Sequence, residues 1–240
     1  MSAIFVHGVP DTHHLWDGVR ERLSRKDTST VSLPGFGTDL PAGFACTKEE
    51  YIAWLIGEVE KVGEPVDIVG HYWGALLTAR LVQVRPDLVR TWAIGGAAID
   101  EGYDWHPMAK MWQTPGMGEQ VMAGFTDDAM VTALTAEGVP AEVARDVASR
   151  VDERMKACVL PLYRSAVSFM KEWHADVEGM SARPGLLIWG EKDPYMQIEF
   201  AKRMAARAKA RLVTLPGSHW WPEQFPAESA AYLEGFWGSV

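Results

Sequence analysis

Between the apolar run Val66-Asp67-Ile68-Val69 and the helical run Ala75-Leu76-Leu77-Thr78-Ala79-Arg80-Leu81-Val82 stands Gly70-His71-Tyr72-Trp73-Gly74, a short segment with glycine at each end. A strand that passes into a helix within so few residues needs glycine where the helix start lies against the strand. It also forces the central residue into a strained, usually left-handed backbone position. A chain with this segment must set a strand in a sheet, lay a helix on its face and present residue 72 at the strand's carboxyl end.

Apolar runs and helical spacing alternate on both sides of that segment. Residues 3–6 are an apolar run ending in His7-Gly8-Val9-Pro10, 15–23 has helical spacing in Leu15, Val19 and Leu23, and 30–33 reads as a second strand closed by Pro34-Gly35-Phe36-Gly37. A helix over 48–62 carries its own start signal, with Thr47 as N-cap and Glu50 completing a capping box. The strand 66–69 leads into a helix ending near Val84, and 91–94 is a fourth short strand. From 99 to 181 the chain is helix-prone, rich in Met and Trp, and without a strand signal. Alternation then resumes with a strand over 185–189, a helix over 198–208, a strand over 211–215 and a last helix over 227–236. This pattern predicts an α/β fold: a doubly wound, mostly parallel sheet with an inserted helical cap. The core falls at 1–98 and 182–240, the cap at 99–181.

Composition narrows the function classes. A net charge of −9 argues against nucleic acid or an anionic membrane as partner, and Lys202-Arg203…Arg207…Lys209…Arg211 reads as a solvated helix face. Cys46 and Cys158 are far apart in the sequence and lack metal-type spacing, which predicts free buried thiols and fits a cytoplasmic location. The start Met1-Ser2-Ala3-Ile4-Phe5-Val6 has neither the charge nor the length of a signal segment. No His, Cys and carboxylate cluster has metal spacing and no glycine pattern suits a nucleotide, so the chemistry is expected to be cofactor-free. The partner is expected to be a small apolar molecule, and the chain a monomer or homodimer.

In a doubly wound sheet, ligands bind beyond the carboxyl ends of the strands. Four loops fall there: His7 to Pro10, Gly70 to Gly74, Gly190-Glu191-Lys192-Asp193-Pro194 and Pro216-Gly217-Ser218-His219-Trp220-Trp221. They bring Tyr72, Asp193 and His219 in an order that matches nucleophile position, acid and histidine. With Leu33-Pro34-Gly35-Phe36-Gly37, these motifs span nearly the whole chain, which resembles the capped α/β-hydrolases. Within them it is more similar to the epoxide hydrolase and haloalkane dehalogenase group than to the serine esterases. His7-Gly8-Val9-Pro10 looks like the H-G-x-P oxyanion loop of that group, and Tyr72 stands where its elbow usually carries aspartate.

The resemblance implies roles. His219 would be the base, oriented by Asp193, with Asp100 or Glu101 after the fourth strand as the substitute acid. Backbone N–H groups of Val9 and Trp73 would form the oxyanion hole, since both lie at turns whose amides can face a cavity. Val9 replaces the asparagine that partners the halide-holding tryptophan in dehalogenases, which weakens that reading. Tyr163-Arg164 resembles the cap pair of epoxide hydrolases whose phenol donates a proton, a role that Tyr103, Trp105, His106 or Trp112 could share. Of 11 tryptophans, Trp16, Trp73, Trp105, Trp112, Trp220 and Trp221 fall beside the expected site, and Trp105, Trp112 and Trp220 are expected to line its pocket.

Three routes remain open for Tyr72. It could attack covalently, activated by His219, although its oxygen would lie beyond the oxyanion hole. It could donate a proton while His219 and Asp193 activate water, as in a hydrolase of a small apolar ester or epoxide, or act in a cofactor-free lyase. It could also plug the pocket of a ligand-binding or catalytically disabled chain.

Overall fold

The computed structural model describes residues 2–240. A 6-stranded sheet has the order β2-β1-β3-β4-β5-β6, with β1 at Ala3–Val6, β2 at Thr28–Val31, β3 at Val66–His71, β4 at Val89–Gly95, β5 at Gly185–Gly190 and β6 at Arg211–Leu215. Every pairing is parallel. The order reverses at β1 and β3, and both of these strands point their carboxyl ends at the same edge.

Side chains alternate along the strands into two cores, as a parallel sheet covered on both faces requires. Ile4, Val6, Ile68, Ile94, Leu187 and Trp189 enter one core, while Ala3, Phe5, Val69, Ala93, Leu186 and Ile188 enter the other. The first face is covered by α2 (Lys48–Glu60), α3 (Trp73–Val84) and α10 (Ile198–Ala208) through Leu55, Leu77 and Met204. The second is covered by α1 (Asp17–Glu21) and α12 (Pro226–Trp237) through Val19, Leu233 and Phe236. The short α11 (Trp221–Gln224) precedes α12.

Element boundaries shift where local hydrogen bonds take over. β2 ends at Val31, opposite Val6, rather than reaching Leu33. The reason is that Leu33 donates its N–H to His7 Nε2 at 3.0 Å and accepts from Phe36 in a turn, so it has left the ladder. The 15–23 helix is broken into a 3-10 turn, His13–Trp16, and the five-residue α1, with Gly18 inside it. β4 is longer than the sequence suggested because Val89 already pairs with Val66. The capping box of α2 is present, with Glu50 N–H on Thr47 Oγ1 and Thr47 N–H on Glu50 Oε2.

Between β4 and β5 run α4 (Pro107–Gln113), α5 (Met117–Ala123), α6 (Asp127–Ala136), α7 (Ala141–Ser149), α8 (Glu153–Ser165) and α9 (Phe169–His174). They bring Trp112, Glu137 and Tyr163 to the wall of a cavity of about 390 Å³ that is also lined by Val9, Tyr72 and His219 from the carboxyl edge of the sheet. Cys46 and Cys158 are both buried and free. Among the described residues no helix is long and apolar enough to cross a membrane.

Candidate active site

Tyr72 holds φ 51° and ψ −112°, outside the regions a bulky side chain ordinarily adopts. Its backbone is pinned from both sides: its N–H donates to Gly95 O at 2.9 Å and its C=O accepts from Leu76 N at 3.0 Å. The flanking glycines are required by close approach. A Cβ on Gly70 would stand 2.3 Å from Gly74 O, and one on Gly74 would stand 2.3 Å from Val6 O. The strain is thus imposed by the packing of β3, α3 and β1, and its result is a phenol projecting into the cavity.

Beyond β5 and β6 the two remaining loops touch, because a Cβ on Gly190 would lie 1.9 Å from Ser218 O. That contact carries His219 to Asp193, with Nδ1 2.9 Å from Oδ2 and both side chains almost fully buried. The other carboxylate oxygen of Asp193 accepts from Tyr195 N at 2.9 Å and Met196 N at 3.1 Å. An acceptor-only carboxylate makes His219 Nδ1 the protonated nitrogen, which leaves Nε2 as the basic one. His71 steadies the same loop by donating Nε2–H to the His219 carbonyl at 2.9 Å. Burial, with His219 adding to it, holds the His71 pKa well below its ordinary value. Asp100 is engaged elsewhere, bonding Arg203 at 2.7 and 3.1 Å and Gly102 N at 2.9 Å, while Glu101 is exposed.

The Tyr72 hydroxyl does not bond to His219; the two rings meet edge to face, 4.8 Å between centroids. Instead the oxygen lies 2.6 Å from Tyr163 Oη and 3.0 Å from His106 Nε2. His106 is the N-cap of α4, and its Nδ1 accepts from Ala109 N at 3.3 Å. Its proton therefore sits on Nε2 and is donated to the Tyr72 oxygen. Burial, with nearby His219 adding to it, lowers the His106 pKa to about 4, so this ring stays neutral. Burial also pushes the Tyr72 pKa well above its usual value, with Tyr163 adding to the shift.

The other predicted residues separate into two groups. Val9, Trp112, Tyr163 and Trp220 line the cavity. Trp105 does not: its indole N–H donates to Ala166 O at 3.3 Å and its ring lies against Trp73 and Phe169, so it packs behind Tyr163. Trp73 is likewise buried among Trp105, Tyr163 and Phe169; as first residue of α3 its N–H has no acceptor within the helix. Asp11, Glu137 and Tyr195 also stand on the wall, and none of them has a role in the sequence reading. Tyr195 follows Asp193 by two positions and Asp11 follows Pro10, so proximity to a motif could have flagged both. Glu137 ends a helix remote from every motif and gave no signal.

The model of the Alpha/beta hydrolase family matches residues 3–232. The chain belongs to that family. Among curated relatives, this alpha/beta hydrolase is 33% identical over 81 residues to the "Probable oxidoreductase EphD" of Mycobacterium tuberculosis, a stretch covering 31% of the chain and only 14% of that relative. It is 31% identical over 94 residues to "Epoxide hydrolase 2" of Siraitia grosvenorii, covering 37% of the chain and 30% of the relative. The haloalkane dehalogenase DbeA of Bradyrhizobium elkani has a similar structure, with a TM-score of 0.80 at 20% identity over 100% of this chain and 91% of that one.

Proposed function

We propose that the chain hydrolyses a small apolar ester or epoxide by direct attack of water, with His219 as general base and the phenol pair Tyr72–Tyr163 as general acid. The observation that carries this reading is the buried His219–Asp193 pair, 2.9 Å apart, whose imidazole shares one cavity with both phenols. Similarity to an epoxide hydrolase over part of the chain supports the same class of substrate.

In the proposed step, His219 Nε2 takes a proton from water and the hydroxide attacks the electrophilic carbon. The carbon–oxygen bond breaks as Tyr72 delivers its proton to the leaving oxygen, and the phenolate receives hydrogen bonds from His106 Nε2–H and Tyr163 O–H. The imidazolium then returns its proton to the phenolate, so that the net change is addition of one water. Covalent attack by Tyr72 fits poorly: burial disfavours its phenolate, and its oxygen is bonded away from the base.

Single-turnover hydrolysis in ¹⁸O-water tests the reading. Label should enter product in the first turnover and none should enter the protein, and His219→Ala should abolish turnover of both p-nitrophenyl esters and styrene oxide. Unlabelled first-turnover product would mean an ester intermediate on a protein carboxylate, and a substrate adduct on Tyr72 seen by mass spectrometry of the His219→Ala variant would mean covalent attack by the phenol. A second reading, that Tyr72 plugs the pocket of a binding protein, draws on its oxygen being satisfied by Tyr163 and His106. It predicts no turnover that depends on His219.

A further inference from the structure

The cavity wall holds two carboxyl groups that the proposed hydrolysis does not use. Glu137, at the end of α6, accepts the Tyr195 hydroxyl on Oε1, while its buried Oε2 makes no hydrogen bond of ordinary length, with the unpaired Trp220 indole near the carboxyl. Asp11, in the loop after β1, is 3% exposed; Oδ1 accepts from Thr12 N at 2.6 Å and buried Oδ2 has no partner. A buried acceptor without a donor is costly, and two of them on one cavity wall mark places where a bound molecule supplies the donor.

Three features of the same wall fix the sign of that donor. Among the described residues, no lysine or arginine lines the cavity. Burial lowers the pKa of His71 and His106, which keeps both rings neutral, and it raises the pKa of Asp11 and of Glu137. Trp112, Tyr163, Tyr195 and Trp220 supply aromatic faces and edges. Carboxyl groups beside aromatic rings, with no lysine or arginine to compete, suit an ammonium group and repel a carboxylate.

We propose that the substrate of this cavity carries a protonated amine, held by Glu137 with Asp11 as a second acceptor. The proposal rests on the cavity being the substrate site but not on the hydrolytic step. An apolar body lies among the aromatic residues while the ammonium donates to Glu137 Oε2, the oxygen that the unliganded protein leaves bare.

The test is calorimetric titration of the whole chain with three molecules of one shape, 4-phenylbutylamine, 4-phenylbutanol and 4-phenylbutyrate. The amine should bind about 10-fold or more tighter than the alcohol, and the carboxylate weakest. Glu137→Gln should remove most of the amine's advantage while leaving alcohol affinity unchanged. Asp11→Asn, which keeps a side-chain oxygen for Thr12, should remove a smaller part. Equal affinity for amine and alcohol, or an advantage that survives Glu137→Gln, overturns the proposal. Should neutral esters turn over while the amine shows no advantage, the ammonium assignment fails alone. An amine advantage in a chain without turnover leaves it standing and ends the hydrolase reading.

Discussion

The hydroxyl oxygens of Tyr72 and Tyr163 stand 2.6 Å apart, one rising from the elbow of the sheet and the other descending from α8. One phenol alone would need water to stabilise its anion; paired, the ionised one accepts a hydrogen bond from the other. Tyr72→Phe is therefore expected to lower kcat by about 10²-fold or more, the scale of a positioned acid. Tyr163→Phe should cost less, and the double variant little more than Tyr72→Phe, because the two act as a unit. Steady-state kinetics of the three variants on one epoxide checks this, and additive losses would separate the phenols.

Asp193 fixes which nitrogen of His219 is basic, so Asp193→Asn should reduce kcat by about 10³–10⁴-fold, the loss seen when an orienting acid is made an amide. Asp100→Asn should leave kcat near the parent value, since its carboxylate serves Arg203 and Gly102. The reverse pattern in a turnover assay would reassign the acid.

The frame of this site was legible because glycine, proline and alternating apolar runs are local signals: Gly70, Gly74 and the loops carrying Asp193 and His219 can be read without knowing any contact. The direction of a long side chain cannot. One route open to Tyr72 had His219 activating its hydroxyl, yet that hydroxyl is taken by Tyr163, 91 residues away in sequence, and by His106. Trp105 failed as a lining residue for the same reason. Its aromatic character and its place between β4 and β5 were visible, but whether an indole faces a cavity or stacks on Trp73 depends on how distant helices pack. Glu137 was invisible because a helix-ending carboxylate is usually solvated, and here Tyr195 and the cavity enclose it.

Glycine at position 70 is a packing requirement that stability measurements can expose. A methyl there meets the Gly74 carbonyl at 2.3 Å and the Thr78 hydroxyl at 2.6 Å, and neither belongs to the end of a flexible side chain. Gly70→Ala is expected to destabilise the fold by about 3 kcal/mol or more, or to prevent soluble expression. A urea midpoint equal to that of the parent would contradict the close approach of β3 and α3.

The pH dependence of stability should contain opposing parts. His7, buried and bonded through both ring nitrogens, has its pKa lowered by burial from 6.5 to about 4. Between those values the unfolded chain binds the extra proton, so this histidine costs stability as pH falls from 6.5 towards 4. Glu223 has its pKa raised by burial from 4.5 to about 7, so the folded chain binds the extra proton in that window and gains stability on acidification. Removing the carboxyl with Glu223→Gln should make stability fall more steeply than in the parent between pH 7 and pH 4.5. Urea midpoints across that range decide it, and parallel curves would mean that Glu223 does not titrate as its burial requires.

Tyr72→Asp separates the two chemistries that this elbow can carry. An aspartate is too short to reach Tyr163, so its oxygens would remain near the turn, beside the first amide of α3 and within range of a substrate carbon. The variant should hydrolyse epoxides through an ester to the introduced carboxylate, seen as protein-derived oxygen in the first-turnover product and as a trapped intermediate when His219 is also replaced. The parent should show solvent oxygen from the first turnover and no adduct. Because the exchange removes the phenol as acid, the variant should be slower than the parent on esters, whose leaving oxygen needs Tyr72. If it were faster on every substrate, the phenol would have no chemical task, and Tyr72 would be an obstruction held against Tyr163 and His106.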